Sequence, residues 1–226
     1  MELSEEIVQT LLLTFKLAFL TTIVLLVISI PVAYWIAYSR NRFRHIVETI
    51  ISMPLVLPPS VLGFYLIVAF SPSSFLGKAL ESLFNVRLIF SFEGLVVASL
   101  IYSLPFMVQP LQAGFRSLPP SLSEASYTLG KSKIVTLNKV LLPNMIPSLL
   151  TGIVLSFAHT IGEFGVVLMI GGNIPGVTRV ASIAIYNEVE MLNYANANTY
   201  ALILFAITFC ILLPVYIFNK KTPKPW

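Results

Sequence analysis

Five apolar runs, each long enough to cross a bilayer, constrain this chain more than any other feature. A spanning helix needs roughly 20 apolar residues, and such runs occupy about 9–39, 46–71, 94–115, 144–171 and 199–218. Within hydrocarbon every backbone amide must be satisfied inside its own segment, so each run is expected to be helical. The expected fold is an all-α polytopic membrane protein with about five transmembrane helices, residues 1–226 forming a single domain. At 57% hydrophobic and 11% charged residues the chain is too apolar for a soluble domain. Its net charge of +4 does not point to nucleic acid, because the cations are dispersed among short loops between the apolar runs. Glu2, Glu5 and Glu6 precede the first cation, Lys16, so the positive start of a cleaved signal peptide is missing and the N-terminal segment is expected to be retained.

If the runs alternate in direction, the Lys and Arg residues separate by side. Arg40 to Arg44 hold three, the segment after the third run holds Arg116, Lys131, Lys133 and Lys139, and the tail holds Lys220, Lys221 and Lys224. These ten share one side, and Lys16, Lys78, Arg87 and Arg179 are left for the other. Cations concentrate on the cytoplasmic face, so the N-terminus is expected outside and the C-terminus in the cytoplasm.

The interruption at 119–143 is polar and carries helix punctuation. Pro119-Pro120-Ser121-Leu122-Ser123-Glu124 has the form of a helix start, with Ser121 as N-cap and Glu124 completing a capping box. Gly130 predicts a left-handed stop. Ser132 is placed to cap a second short helix from Lys133 to about Leu142, which Pro143 would end. Two short helices at an angle, exposed as a docking surface, are expected. Ala125 to Ser132 also satisfies a loose form of the phosphate-binding loop, but that loop needs a strand before it and a helix beginning at the Lys-Ser pair. Here a helix precedes it. The chain also contains no Asp, the residue with which such hydrolases hold magnesium, so it is not expected to hydrolyse ATP.

Polar residues inside the apolar runs mark the candidate path. Pro54, Pro58 and Pro59 lie near the middle of the second run and must free backbone carbonyls, tolerated only where protein or a water-filled cavity satisfies them. Either a packing kink or a pathway lined by Pro58, Pro59 and Ser60 accounts for them; broken midplane helices are a recurring substrate-site device. In the fourth run Ser156, His159, Thr160 and Glu163, with Gly152 a turn earlier, share one helical side, expected to face a pore or another subunit. An ionisable group in the membrane is expensive. Glu163 is therefore a pathway candidate with Ser156 and Thr160, or a structural group bonded to a neighbouring helix or to His159.

Residues 171–198 are too polar to span. They are expected outside, with a short amphipathic helix near 178–192, and Asn173, Pro175, Gly176 and Arg179 are candidates for contact with an external partner. A second outer loop, 72–93, is expected to place Glu81 and Lys78 on a solvated face. Cys210 reads as a small buried hydrophobe. With two distant histidines and no Asp, no metal cluster or catalytic constellation is expected, and neither is an enzyme.

The segment from Glu124 resembles the EAA loop of the permease subunits of ATP-binding-cassette (ABC) importers. It reads Glu124-Ala125-Ser126, three residues, Gly130, nine residues, Val140, one residue, Leu142-Pro143, with Ser126 in place of the pattern's second Ala and Val140 in place of Ile. Taken with Pro54 to Pro59, Gly162-Glu163-Phe164-Gly165 and Gly172 to Arg179, the chain is similar over about 10–215 to the molybdate, tungstate and sulfate group of these permeases. The resemblance implies a multi-pass protein of a prokaryotic plasma (inner) membrane that pairs with a second copy of itself, two ABC ATPase subunits and a periplasmic or extracellular oxyanion-binding protein. It places ATP and magnesium on the ATPase, with no cofactor on this chain and no nucleic-acid partner. Residues 119–143 would be the coupling loop seated in the ATPase, and transport would run by alternating access. Molybdate is the implied substrate, with tungstate or sulfate as alternatives; outside transport, the alternative is a membrane scaffold.

The charge asymmetry generates a direct test of orientation. With Cys210 replaced by Ser, Lys78→Cys and Gly176→Cys should react with a membrane-impermeant thiol reagent in intact cells, and Arg42→Cys and Lys131→Cys should not. Labelling of Lys131→Cys from outside would overturn both the orientation and the docking role of 119–143.

Overall fold

The computed structural model describes residues 5–219, all of whose regular elements are helical. The chain runs through α1 (Glu5–Tyr38), α2 (Phe43–Ser52), a 3-10 turn (Met53–Leu55), α3 (Pro59–Phe70), α4 (Phe75–Phe84) and α5 (Phe92–Ser117). It continues through α6 (Pro120–Thr128), α7 (Lys133–Thr136), a π-turn (Leu137–Leu141), α8 (Leu142–Asn144), α9 (Ile146–Gly162), α10 (Gly165–Gly171), α11 (Ala181–Glu190) and α12 (Tyr194–Asn219). Glu2, Lys220, Lys221 and Lys224 lie outside the described residues.

Among the described residues three helices, α1, α5 and α12, are each long and apolar enough to cross a membrane. Two further stretches are bent, by 111° between Phe43–Leu55 and Pro59–Phe70 and by 80° between Lys133–Asn144 and Ile146–Gly162, and they bring the number to five if each pair is one span. The helix of the fourth run is also interrupted further on. It stops at Gly162, Glu163 turns extended (φ −65°, ψ 130°), and α10 begins afresh at Gly165. Glycines, poor helix formers, flank this break at 162 and 165.

α1 and α5 lie side by side in the same direction. At one end the Tyr38 hydroxyl donates to the Phe115 carbonyl (3.0 Å), and at the other Lys16 Nζ lies 4.6 Å over the Phe92 ring. α9 packs against both in the opposite sense, from Met145 beside Leu111 and Phe115 towards Ser103. Close approach depends on small residues: a Cβ on Gly114 would sit 2.6 Å from Ser148 Cβ, and one on Gly152 3.0 Å from Met107 Sδ. Two large apolar clusters result, beside a small one of Ile7, Ala184 and Tyr200. Leu25, Ile36, Met107, Leu111 and Phe115 fill the end that carries 119–143, and Leu17, Leu95, Val167, Ile170 and Ile183 fill the opposite end.

Four local expectations are corrected. The helix containing Glu124 starts at Pro120, with Pro119 as its cap, so Ser121 is already inside it and no capping box forms; proline suits this first position because its missing N–H has no helical partner there. Pro143 does not end the second short helix. It has no N–H to give the Lys139 carbonyl, the turn before it widens to a π-turn, and the chain stays helical to Asn144. The segment 72–93 is not all loop: it holds α4, with Lys78 exposed and Glu81 half-buried and bonded to Arg87 (Oε1 to Nε, 2.7 Å). Cys210 is exposed, because α12 leaves most of its apolar surface, including Leu202, Phe205 and Phe209, uncovered by the rest of the chain.

Candidate functional site

The two interruptions within apolar runs meet. Pro58 and Pro59 both lack the N–H that a continuing helix would need, so α2 and its 3-10 turn end and α3 starts anew at Pro59. α10 starts beside it: a Cβ on Gly165 would sit 2.6 Å from Pro59 Cβ, so any larger residue there would push the two half-helices apart. From this level α3 and α10 run together, with Gly63 against Met169 and Val166.

Glu163 holds the break closed. Its side chain is buried, Oε1 accepts from the Val166 N–H at 2.9 Å, and its carbonyl accepts from the Ser182 hydroxyl in the first turn of α11. One residue therefore ties α9, α10 and α11. It bonds to α10 and α11 instead of His159. An open cavity of about 410 Å³ lies here, lined by Pro59, Tyr102, Ala158, His159, Gly162, Glu163, Phe164 and Gly165. The first turns of α3 and α11, helices of 12 and 10 residues, begin next to it and bring the positive ends of their peptide dipoles to this level.

His159 lies with its ring 3.9 Å from Phe106 and 4.9 Å from Tyr102, centroid to centroid, and its Nδ1 is 3.0 Å from the Ser103 hydroxyl. Ser103 is also 3.1 Å from Thr160 Oγ1, which donates to the Ser156 carbonyl. The polar side of α9 is therefore split. His159 and Glu163 line the cavity, whereas Ser156 and Thr160 are fully buried; Thr160 meets α5 of the same chain, a correction to the expectation that this whole side faces a pore or another subunit. Thr160 finds an in-chain acceptor in the Ser156 carbonyl, whereas the Ser156 hydroxyl is buried without a hydrogen-bond partner among the described residues. Pro58 and Ser60 lie on the outer surface of the chain at the same break.

The segment 119–143 folds into two short helices around a groove lined by Leu122, Ala125, Ser126, Leu129, Val135 and Val140, among others. Gly130 adopts φ +72°; its N–H bonds to the Tyr127 carbonyl and the Lys131 N–H to the Ser126 carbonyl, the double bond of a Schellman turn. Ser132 caps α7 through the Val135 N–H. Ser126, buried, bonds to Thr136 across the turn at 2.8 Å, which fixes one short helix against the other and explains a hydroxyl at this position. Glu124 and Ala125 are exposed, Pro143 is exposed, and Val140 and Leu142 are half-buried. A helix, not a strand, precedes Gly130-Lys131-Ser132, as the rejection of a phosphate-binding loop requires.

In the segment after α10, Arg179 is committed within the chain. Its Nε donates to Asn173 Oδ1 (2.7 Å), its guanidinium pairs with Glu6 (2.8 Å), and Asn173 donates on to Asn187. The tip at Pro175 and Gly176 stays exposed. Ser103, one of the polar residues of the third run that could pack against a neighbouring helix or line a path, pairs with His159, and Thr136, which sequence reasoning missed, pairs with Ser126; nothing in the sequence pairs residues 56 or 10 positions apart.

Interrupted helices meet at a cavity in a bundle of membrane-length apolar helices, with a two-helix segment at one end. The chain belongs to the family described as binding-protein-dependent transport system inner membrane component, whose sequence profile matches residues 29–222. It is a multi-pass inner-membrane permease of the ABC transporter type. It is 44% identical to the molybdenum transport system permease protein ModB of Azotobacter vinelandii over 96% of each chain. It is 35% identical to the putative molybdenum transport system permease protein YvgM of Bacillus subtilis, over 97% of this chain and 96% of that one. Among solved structures it superimposes on a bacterial ABC transporter involved in the import of the acidic polysaccharide alginate with a TM-score of 0.80, covering 98% of this chain and 82% of that chain at 18% identity, a likeness of fold.

The geometry at Glu163 generates a mutational test. Glu163→Gln keeps an acceptor for the Val166 N–H and should leave yield and assembly within about twofold of wild type. Glu163→Leu strands that buried donor at a cost of about 1–3 kcal/mol and should lower the yield of folded protein or its transport activity. Folded-protein yield in detergent and uptake in cells measure both, and a fully active Leu variant would show that the tie is dispensable.

Proposed function

We propose that this chain is the permease subunit of an ATP-driven importer that brings molybdate, or the closely similar tungstate, into the cytoplasm by alternating access. The observation that carries this reading is the cavity at the junction of the two broken stretches, in a chain 44% identical over nearly its whole length to a molybdenum transport permease. The whole chain, 1–226, acts as one transmembrane domain, with the N-terminus outside and the end that carries 119–143 in the cytoplasm. It works as a pair of identical copies with two ATPase subunits, which hold ATP and magnesium, and an external oxyanion-binding protein. Pro59 and Glu163 stand on the pathway, Pro58 and Ser60 continue it along the outer surface of the chain, and Ser156 and Thr160 brace it from behind. Pro175 and Gly176 form the outer contact for the binding protein, while Asn173 and Arg179 hold that tip in shape. Glu124, Ala125, Ser126, Gly130, Val140, Leu142 and Pro143 form the coupling seat: the Ser126–Thr136 bond and the Gly130 turn make it a rigid body, so closure of the ATPase pair can move α5 and α9 together.

Uptake of labelled molybdate into cells expressing the full importer, with tungstate and sulfate as competitors, tests the substrate. Competition by excess unlabelled molybdate and tungstate but not sulfate supports the reading. Equal competition by sulfate would shift the substrate to the sulfate type, and absence of any ATP-dependent uptake would favour a scaffold.

The coupling role has its own test. Gly130→Val places a β-branched residue at φ +72°, a conformation it strongly disfavours, and should disrupt the seat. Stimulation of ATPase activity by loaded binding protein is expected to fall about tenfold or more, a loss of roughly 1.4 kcal/mol of coupling, with reduced retention of the ATPase in a pull-down. Glu124→Ala, at an exposed position without a capping bond, should weaken coupling less. Wild-type stimulation and retention in Gly130→Val would reduce 119–143 to a connecting loop.

A further inference from the structure

Hydrogen-bond accounting around Ser103 fixes the chemistry that His159 shows to the cavity. Thr160 Oγ1 gives its one proton to the Ser156 carbonyl at 2.8 Å, so towards Ser103 it can only accept. Ser103 therefore spends its own proton on Thr160, 3.1 Å away, and has only lone pairs left for His159 Nδ1 at 3.0 Å. With all three contacts counted as hydrogen bonds, Nδ1 carries a hydrogen and donates it. In the neutral ring, which has one N–H, Nε2 is then bare. With the ring against Phe106 and Tyr102 and Nδ1 turned to the buried Ser103, Nε2 is the ring's remaining polar atom for the cavity that His159 lines.

We propose that His159 is a specificity-determining residue of the cavity: neutral, it offers an oxyanion only a lone pair, and it becomes a donor by taking one proton at Nε2, so the cavity admits the anion together with a proton. The inference deepens the oxyanion-import reading and rests on it. A tetrahedral oxyanion without protons has acceptors alone, and acceptor facing acceptor is repulsive. The proton comes from water in the cavity, adds to the Nε2 lone pair and returns to water when the anion leaves; no bond of the anion is made or broken. The titratable groups that face His159 are Glu163 on the same wall and Tyr102 from α5, with Tyr186 of α11 behind Phe164; α3 contributes Pro59. Glu163 directs Oε1 to the Val166 N–H and supplies no cation, so a protonated His159 is the one side chain on this wall that can carry positive charge.

Two measurements test the proposal independently. In the first, ¹⁵N NMR of histidine-labelled permease in detergent, with the other histidine replaced (His45→Gln), should show Nδ1 protonated and Nε2 bare at high pH, and Ser103→Ala should abolish that preference. A neutral ring protonated at Nε2 would overturn the proposal. In the second, the complete importer in proteoliposomes, with molybdate as the probe, should lose stimulated transport as pH rises and the ring gives up its proton. His159→Gln, a donor at every pH, should flatten that profile, and His159→Phe should reduce transport about tenfold or more, the loss of one hydrogen bond to a charged group, while still retaining the ATPase in a pull-down. A wild-type pH profile in His159→Gln, or a wild-type rate in His159→Phe, would overturn it. If the wild-type importer moves no molybdate at any pH, the import reading fails and the proposal falls with it, while the NMR result still decides whether the tautomer was assigned correctly.

Discussion

The bond from the Val166 amide to the Glu163 carboxylate is the contact on which the middle of this protein depends. A helix that stops within an apolar bundle exposes backbone donors and acceptors that water cannot reach, and each must find a partner in the chain. At this break the side chain of Glu163 takes one donor at the start of α10 and its carbonyl takes the Ser182 hydroxyl; at the facing break Pro58 and Pro59 have no N–H to satisfy, and the Pro58 carbonyl accepts from Val61 and Leu62. The two interruptions are thus handled by opposite means, a carboxylate that accepts and prolines that have nothing to donate. Gly165 then lets the two half-helices touch.

The cavity lies between the two breaks. Its walls come from α3, α5, α9 and the start of α10, elements anchored in different apolar clusters: α9 begins against the Leu111 and Phe115 end, and α10 ends in the cluster of Leu95 and Ile170. A relative displacement of the two clusters therefore changes the cavity directly. Broken helices are favourable at such a place because a continuous helix would transmit the displacement along its axis, whereas a break absorbs it in a few backbone torsions.

Much of this was legible in the sequence, and the misses share one cause. Long apolar runs, the prolines at 58 and 59, the left-handed Gly130 and the Ser132 cap all act over a few residues, and each appears in the structure at its expected place. The capping box at Ser121 failed because Pro120, one residue earlier, is the better first helical residue and shifts the start. The break at Glu163 was hidden by the high apolarity of the run as a whole, although Gly162 and Gly165 on either side were its signal. The face of α9 was assigned correctly as a stripe but not to its neighbour, since periodicity says which residues share a side and not what lies opposite. Pairings such as Ser103 with His159 and Arg179 with Glu6 join residues 56 and 173 positions apart, and only the packing of α1, α5 and α9 brings them together.

The same packing connects the segment 119–143 to the cavity. α5 leads into α6 through Leu118 and Pro119 alone, and Arg116, two residues earlier, lies 3.7 Å from Glu48 on α2, which also accepts from Gln112 at 2.7 Å. One helix turn beyond Glu48, Ser52 receives a bond from Gln109, and the 3-10 turn and Pro58 follow at once. At the other side of the segment, α8 passes into α9 at Met145, buried against α5. The short helices thus sit between two rigid leads, one towards Pro59 through α2 and one towards Glu163 through α9, and both leads end on the cavity. A solvated ion pair such as Glu48 with Arg116 contributes little stability on its own; its consequence here is geometric, since with the Gln112 and Gln109 bonds it fixes the position of α2 along α5.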